Sequence, residues 1–425
     1  MHWNRRYAIR SYLLSSIWAA PIIALGLEQA TFRIAYVHQL DFGWVPGFTL
    51  DHDGTVAAAD YIVASTTAFM VFTFSSLLVA IQIAGGQLTP RIIATTLLRD
   101  NAIRGSVAVF VYALLLAAGV KTRADTIPRS LISLMEIAGL ASVIVFMFLI
   151  DYAARLLRPV SIIGLLARRG LRVIDDVYPR PISASPAAVS DHAKLGRVQR
   201  SVPHDDSSAI VIAINVKALM AIARRHDVVI ECVPRVGDFV SRDEPLFLLR
   251  GPGAENVDED RLRAQVAFGP ERTIEQDSTF AFRVIVDIAI KALSPAINDP
   301  TTAVLAIDQL QRLLRTVGGR NLQDERILDN TGAARVILRT PNWNDFVHLA
   351  FSEIRRYGAG SFQVARRLRA MIETLLQVLP EDRQTAVREQ QALLDRAVRE
   401  LYTLPEDLRL ALVADSQGMG GASGS

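Results

Sequence analysis

The stretch from Tyr61 to Pro90, YIVASTTAFMVFTFSSLLVAIQIAGGQLTP, runs for thirty residues without a charge. At about 1.5 Å rise per residue, its apolar part from Tyr61 to Ala84 extends roughly 36 Å as a helix, enough to cross a hydrocarbon core of about 30 Å with some tilt. A chain carrying such a stretch is expected in a membrane. Hydrophobic residues make up 51% of the 425 and charged residues 21%. The two figures fit together because the halves differ: nearly all long apolar runs precede residue 155, and the remainder is charge-rich and periodic.

Three further spans are expected. MHWNRRYAIRSYLLSSIWAAPIIALGL sets Arg5, Arg6 and Arg10 before an apolar run, the pattern of a signal peptide or a first anchor. The run from Ser11 to Leu27 is just long enough to span, lacks a convincing cleavage site and ends where Glu28 and Arg33 bring in charge, which favours the anchor. Ile103 to Val120 and Leu131 to about Tyr152 complete the set. Arginines precede span one, stand between spans two and three (Arg91, Arg99, Arg104) and follow span four (Arg155, Arg158, Arg168, Arg169, Arg172), whereas His38 to Asp60 contains acids and no Lys or Arg. By the positive-inside rule both termini are expected in the cytoplasm, although Lys121, Arg123 and Arg129 in the third loop argue the other way.

Polar residues within the spans are the candidate membrane site. Glu136 falls inside span four, where a carboxylate is costly unless paired, protonated or wetted. Two readings stand: an ion or proton site, or a carboxylate near the outer interface that reaches water or pairs with Arg129 or Arg123. In span two Ser75, Gln82 and Gly86 share a helical face, and Gln87 follows the Gly85-Gly86 break. A hydroxyl-rich face lines a wet path or makes a close helix–helix contact, and the latter is the more frequent use. Thr89 and Pro90 then suit the start of a short amphipathic segment, RIIATTLLRDNAI, lying along the interface or serving as a connecting turn.

The fold class expected is therefore an α-helical transmembrane region of four spans (11–155), a basic juxtamembrane segment and linker (156–207), a cytoplasmic α/β domain with a helical hairpin (208–340), a C-terminal helical region (341–415) and a disordered tail (416–425). Strands are expected at LGRVQR, AIVIAI, VVIECV, PLFLLRG, QVAFG and ARVILRT, with VKALMAIARRH as an amphipathic helix. Thr273 with Gln276 has the spacing of a capping box for the helix carrying Phe280, Val284 and Ile288. Asp299-Pro300 starts the next helix, so SPAINDP forms the tip of a hairpin. Ser294, Asn298 and Asp299 expose oxygens there that suit a cation or a partner, although capping already explains Asp299. Asp287 lies between Arg283 and Lys291 in an ion-pair ladder. Arg355, Arg356, Arg366, Arg367 and Arg369 are expected on a solvated basic face, and His348 has no second ligand at helical spacing.

The segments GPERTIEQD, ALSPAINDPTTA and FVHLAFSEIRRYG, with LTPR after span two, resemble a bacterial predicted-membrane-protein family classed as a domain of unknown function. The resemblance covers roughly residues 10 to 400, with Ala296 standing where the family usually has Gly. It implies a multipass bacterial membrane protein with a cytoplasmic C-terminal domain, and it implies no catalytic residues.

Function is expected to be non-enzymatic, since HExxH, P-loop and GxSxG patterns are absent and the single cysteine, Cys232, has no nucleophile setting. An oligomeric channel-like or solute pathway with a cytoplasmic regulatory domain is the leading expectation; a membrane-anchored interaction or sensor module is the alternative. Partners are expected to be the bilayer, further copies of the chain and a small ion or solute. A net charge of +3 gives no reason to expect nucleic acid, and no cofactor is expected.

Overall fold

The computed structural model describes residues 3–7, 9, 19–38, 52–83, 85–86, 100–123, 127–156, 158–182, 196–322 and 325–420. The chain divides into two compact units, residues 10–86 with 90–161, and residues 1–9 and 87–89 with 162–425.

The first unit contains the helices α1 (Ala19–Val37), α2 (His52–Ile83), α3 (Asn101–Lys121) and α4 (Arg129–Leu156). Among the described residues, His52–Val79, Asn101–Lys121 and Arg129–Ala153 are long and apolar enough to cross a membrane. Lys121 Nζ of α3 meets Asp60 Oδ1 of α2 at 2.5 Å, and the rings of Phe110 and Phe69 lie 5.8 Å apart, so these two helices run antiparallel. Gly139 touches Ile62 and Phe146 stacks on Phe69 at 4.2 Å, which sets α4 parallel to α2. Phe32 of α1 packs on Gly119 of α3. Asp100 caps α3 by accepting from Ala102 N at 2.9 Å and also receives the Tyr152 hydroxyl, tying the start of α3 to the end of α4.

Two helix ends differ from expectation. Helix α2 begins at His52, ahead of Tyr61, because Ala57, Ala58 and Ala59 favour helix and Asp53 sits in the first turn, where a carboxylate suits the helix dipole. Helix α1 continues past Leu27 to Val37, and Glu28, expected to end the span, is buried. The start of that span at Ser11, like Gln87, Thr89 and the expected interfacial segment up to Arg99, lies outside the described residues.

Helix α5 (Pro159–Val177), restarted at Pro159 as its fixed φ allows, belongs to the second unit from Ile162 onward. Its strands are β1 (Arg200–Pro203), β2 (Ala209–Ile214), β3 (Val229–Cys232), β4 (Phe239–Val240), β5 (Pro245–Arg250), β6 (Val266–Gly269), β7 (Glu325–Leu328) and β8 (Ala334–Leu338). They form a five-stranded sheet ordered β1-β5-β3-β8-β7 and a three-stranded sheet ordered β4-β2-β6. The β3–β8 pair is parallel and the rest are antiparallel. Helix α6 (Val216–His226) follows β2 and buries Leu219, Met220, Ile222 and Ala223. The short helix α7 (Glu259–Arg263) precedes β6. Helices α8 (Phe280–Ala292) and α9 (Pro300–Gly318) make the expected hairpin, followed by α10 (Trp343–Gly358), α11 (Phe362–Val378), α12 (Glu381–Leu401) and α13 (Pro405–Ala411).

Four sequence expectations fail in this unit, each for a local reason. The first strand, Arg200–Pro203, starts only at the last residue of LGRVQR and runs beyond it along β5, with Gln199 N donating to Leu249 O at 2.9 Å just ahead of it. The Thr273–Gln276 capping box does not form: Gln276 Oε1 accepts from Ile214 N at 3.0 Å, and α8 starts at Phe280. Arg366, Arg367 and Arg369 are buried, because their three directions from α11 meet Val413 O at 3.1 Å, Asp308 Oδ1 at 2.7 Å and the Asp395 carboxylate. Residues 416–420 of the expected disordered tail are held in place, with the Asp415 carboxylate accepting from Gln417 N, Gly418 N and Gly420 N at 2.8–3.0 Å.

Arg283 on α8 donates to both carboxylate oxygens of Glu353 on α10 at 2.8 Å and also pairs with Asp287. The hydrogen bond from Arg283 holds the Glu353 carboxyl below the usual glutamate range despite partial burial. A depressed folded-state acid stabilises above its unfolded pKa, and that contribution disappears as pH falls through the folded value. Glu353→Gln is expected to lower stability by roughly 0.5–1 kcal/mol at neutral pH, discounted for solvent exposure. Melting curves of the two proteins should converge as the pH falls through the depressed folded-state value of Glu353.

Candidate functional site

The segment GPERTIEQD folds around one carboxylate. Asp277 Oδ1 accepts from Thr279 N at 3.0 Å, Phe280 N at 3.1 Å and Thr279 Oγ1 at 2.7 Å. Its Oδ2 receives Arg272 Nη2 at 2.6 Å and Nε at 2.8 Å. Asp277 therefore caps α8 and anchors Arg272 at once. Gly237, in the turn before β4, sits against that pair with φ of +97°, and a Cβ there would stand 2.4 Å from both Arg272 Nη2 and Asp277 Oδ2. Only glycine meets both the backbone and the space requirement.

Beside this anchor lies a cavity of about 330 Å³. Glu275 and Gln276 contribute one wall, Ile214 and Val216 at the β2–α6 junction a second, Arg235 a third, and Arg339 and Thr340 after β8 a fourth. The volume falls at the low end of the roughly 300–1,000 Å³ typical of small-molecule sites. Thr340 is 8% exposed, and its Oγ1 makes no hydrogen bond. Glu275 receives the Tyr7 hydroxyl. Trp3 and Tyr7 pack on Ile212, Ala213 and Ala267 of the three-stranded sheet, and Asn4 N donates to Ala264 O at 3.3 Å. The chain start is thus docked on the same unit as residues 162–420.

The membrane candidates do not share one place. Glu136 lies one turn before Gly139, at the level of Ile62, and its Oε1 is buried without a hydrogen bond. Ser75 and Gln82 lie further along α2 from Ile62, about 20 Å and 30 Å by helical rise. Both are exposed, while Gln87 falls outside the described residues. Thr66 and Thr73 are buried and spend their hydroxyls on Ile62 O and Phe69 O, both at 2.6 Å. Glu28 was read only as the end of a span. It is a second acid within the bundle, 5% exposed, receiving Gln29 Nε2 at 2.8 Å.

At the SPAINDP tip the oxygens are mostly engaged locally. Ser294 Oγ donates to Lys291 O at 2.7 Å, and Asp299 Oδ1 accepts from Thr302 N at 3.0 Å. Asn298 adopts φ of +49°, a conformation its short side chain tolerates, and its amide donates to Ser294 O at 2.8 Å. His348 is exposed, and no group of metal-ligating side chains occurs among the described residues.

The family described as "Predicted membrane protein (DUF2254)" matches residues 10–374. The uncharacterized protein Rv1290c of Mycobacterium tuberculosis is 27% identical over 434 residues, which cover 97% of this chain and 81% of that protein. The uncharacterized protein Mb1321c of Mycobacterium bovis gives the same identity and coverage. No solved structure matches the chain.

Gly237→Ala is expected to destabilise the second unit by about 1–3 kcal/mol through strain and collision, measured by thermal or urea unfolding. Tyr7→Phe removes one hydrogen bond and should weaken docking of the chain start by roughly 1 kcal/mol, read as faster amide exchange at residues 3–7.

Proposed function

The chain belongs to the DUF2254 family of predicted membrane proteins, and from that premise we propose that it acts as an oligomeric channel-like or solute pathway with a cytoplasmic regulatory unit. One observation carries the reading: within a single chain only 11% of the apolar window of α2 is buried, against 44% for α3, and its unburied stripe includes Thr67, Ser75 and Gln82. A side-chain amide facing hydrocarbon costs several kcal/mol unless it is partnered. Apposition of α2 from several copies gives that stripe either a partner or water. Three or four spans are few for a pore within one chain, which again favours several copies.

The reading includes four crossings of a bacterial inner membrane with both termini in the cytoplasm. The docking of Trp3 and Tyr7 on the unit that also holds residues 162–420 supports an even number of crossings. The arginine distribution supports the orientation. A second reading, a membrane-anchored sensor without conduction, is favoured by the cavity beside GPERTIEQD.

In liposomes the purified protein is expected to pass small ions or solutes, and Gln82→Leu should change that flux severalfold. Ser75→Cys should form disulfides between copies under mild oxidation, whereas Ile144→Cys on the exposed face of α4 should not. Absence of flux under every ionic and voltage condition, with no cross-link at Ser75→Cys, contradicts the pathway reading and leaves the sensor reading.

A further inference from the structure

Two guanidiniums reach the cavity with incomplete protein pairing. Arg235 Nη1 is 3.3 Å from Asp345 Oδ2, with 39% of its side chain exposed. Arg339 Nη2 stands 3.6 Å from Glu231 Oε1, beyond hydrogen-bond range, with 49% of its side chain exposed. The other oxygen of Glu231 is already held by Arg250 Nη1 at 2.5 Å. Both arginines thus retain donors in the fork geometry that suits phosphate oxygens. The first turn of α6 stands at the same cavity through Val216; the Asn215 side chain already caps Ala218 N at 3.3 Å and Leu219 N donates to Asn215 O, which leaves the Val216 and Lys217 amides without intrahelical acceptors.

An independent feature points to a ligand. The Thr340 hydroxyl is buried at the cavity wall without a hydrogen-bond partner, a condition that native interiors rarely tolerate. Gln276 commits its Oε1 to Ile214 N, which leaves its amide hydrogens as donors. Asp277 is consumed by Arg272 and the start of α8, so it adds no free charge against an anion. Asp176 and Glu275 place carboxylates at the rim, Glu275 already receiving the Tyr7 hydroxyl, and Ile214, Val216 and Leu338 supply an apolar wall.

We propose that this cavity binds a small organic phosphate, with Arg235 and Arg339 on the phosphate, the apolar wall against its carbon skeleton, and Asp176 and Glu275 receiving its hydroxyl or amino hydrogens. The volume fits a molecule of nucleoside monophosphate or sugar phosphate size rather than a polymer. The assignment deepens the regulatory reading of this unit and rests on it only for what binding does. Because Glu275 also holds the Tyr7 hydroxyl, an occupant that draws on Glu275 changes a contact just ahead of the first membrane segment.

The test is direct binding to the full chain in phosphatidylcholine nanodiscs, by calorimetry and thermal shift, independent of any flux. The probes are AMP and glycerol 3-phosphate, with adenosine and glycerol as unphosphorylated controls. At least one phosphate is expected to bind and raise the melting temperature, and its control is not. Arg235→Ala and Arg339→Ala should each weaken binding about tenfold or more, and Thr340→Val more modestly, with unliganded melting temperatures reporting that each variant folds. Repeating the titration with phosphatidylglycerol in the disc separates sources: competition identifies a lipid headgroup as the phosphate donor, and unchanged binding identifies a soluble one. Neither phosphate binding more tightly than its control, or both arginine variants binding as the unaltered protein does, overturns the proposal.

Discussion

Residues 3–7 lie on the α/β unit, with the Trp3 and Tyr7 rings against Ile212, Ala213 and Ala267 and the Asn4 amide on Ala264 O. This contact constrains everything between. Under the proposed topology, a chain that leaves one body, enters lipid and returns to the same body crosses the membrane an even number of times. Hydrocarbon offers no partner for a backbone amide, so a crossing outside a closed β-barrel satisfies its backbone as a helix. Three of the described segments have the length and apolarity for that, and the proposed fourth is the run from Ser11 to Leu27, which overlaps α1.

The helices of the first unit use different means to cohere. Lys121–Asp60, Phe69 with Phe110 and Phe146, and the Asp100–Tyr152 bond hold α2, α3 and α4 in register. Of the three candidate spans, α3 is the most buried and α2 the least among the described residues, and the proposed pathway takes its origin in that exposed stripe of α2. In the second unit, cohesion is ordinary burial reinforced by charge. Asp277 caps a helix and fixes Arg272, and the buried guanidiniums of Arg366, Arg367 and Arg369 each find an acceptor. Losing one partner of such a buried pair costs more than the pair contributes, because the other charge is stranded.

Much of this was legible in the sequence, where a single segment decided the outcome. The uncharged run from Tyr61, the proline restart at Pro159 and the Asp299-Pro300 cap all depend on near neighbours, and the helices after Asn342 follow their periodicity. Failures arose where distant segments compete. Gln276 looked like a capping residue but serves an amide on β2, and Asp277 takes the cap instead. The arginines of α11 looked solvated because their acceptors lie on α9, α12 and the chain end. The cavity was invisible for the same reason, since its walls come from five separated stretches. The one signal available was GPERTIEQD itself, dense in polar residues that a simple helix start does not need.

The even count of crossings is tested most directly by labelling cysteines in intact cells with a membrane-impermeant maleimide. Cys232 is buried, which keeps the background low. Exposed positions are available at Arg5, Asp53, Thr122 and Asp206. Asp53→Cys and Thr122→Cys are expected to label from outside, and Arg5→Cys and Asp206→Cys only after permeabilisation. Labelling that places Arg5→Cys and Asp206→Cys on opposite faces would contradict the shared docking and the even count proposed from it.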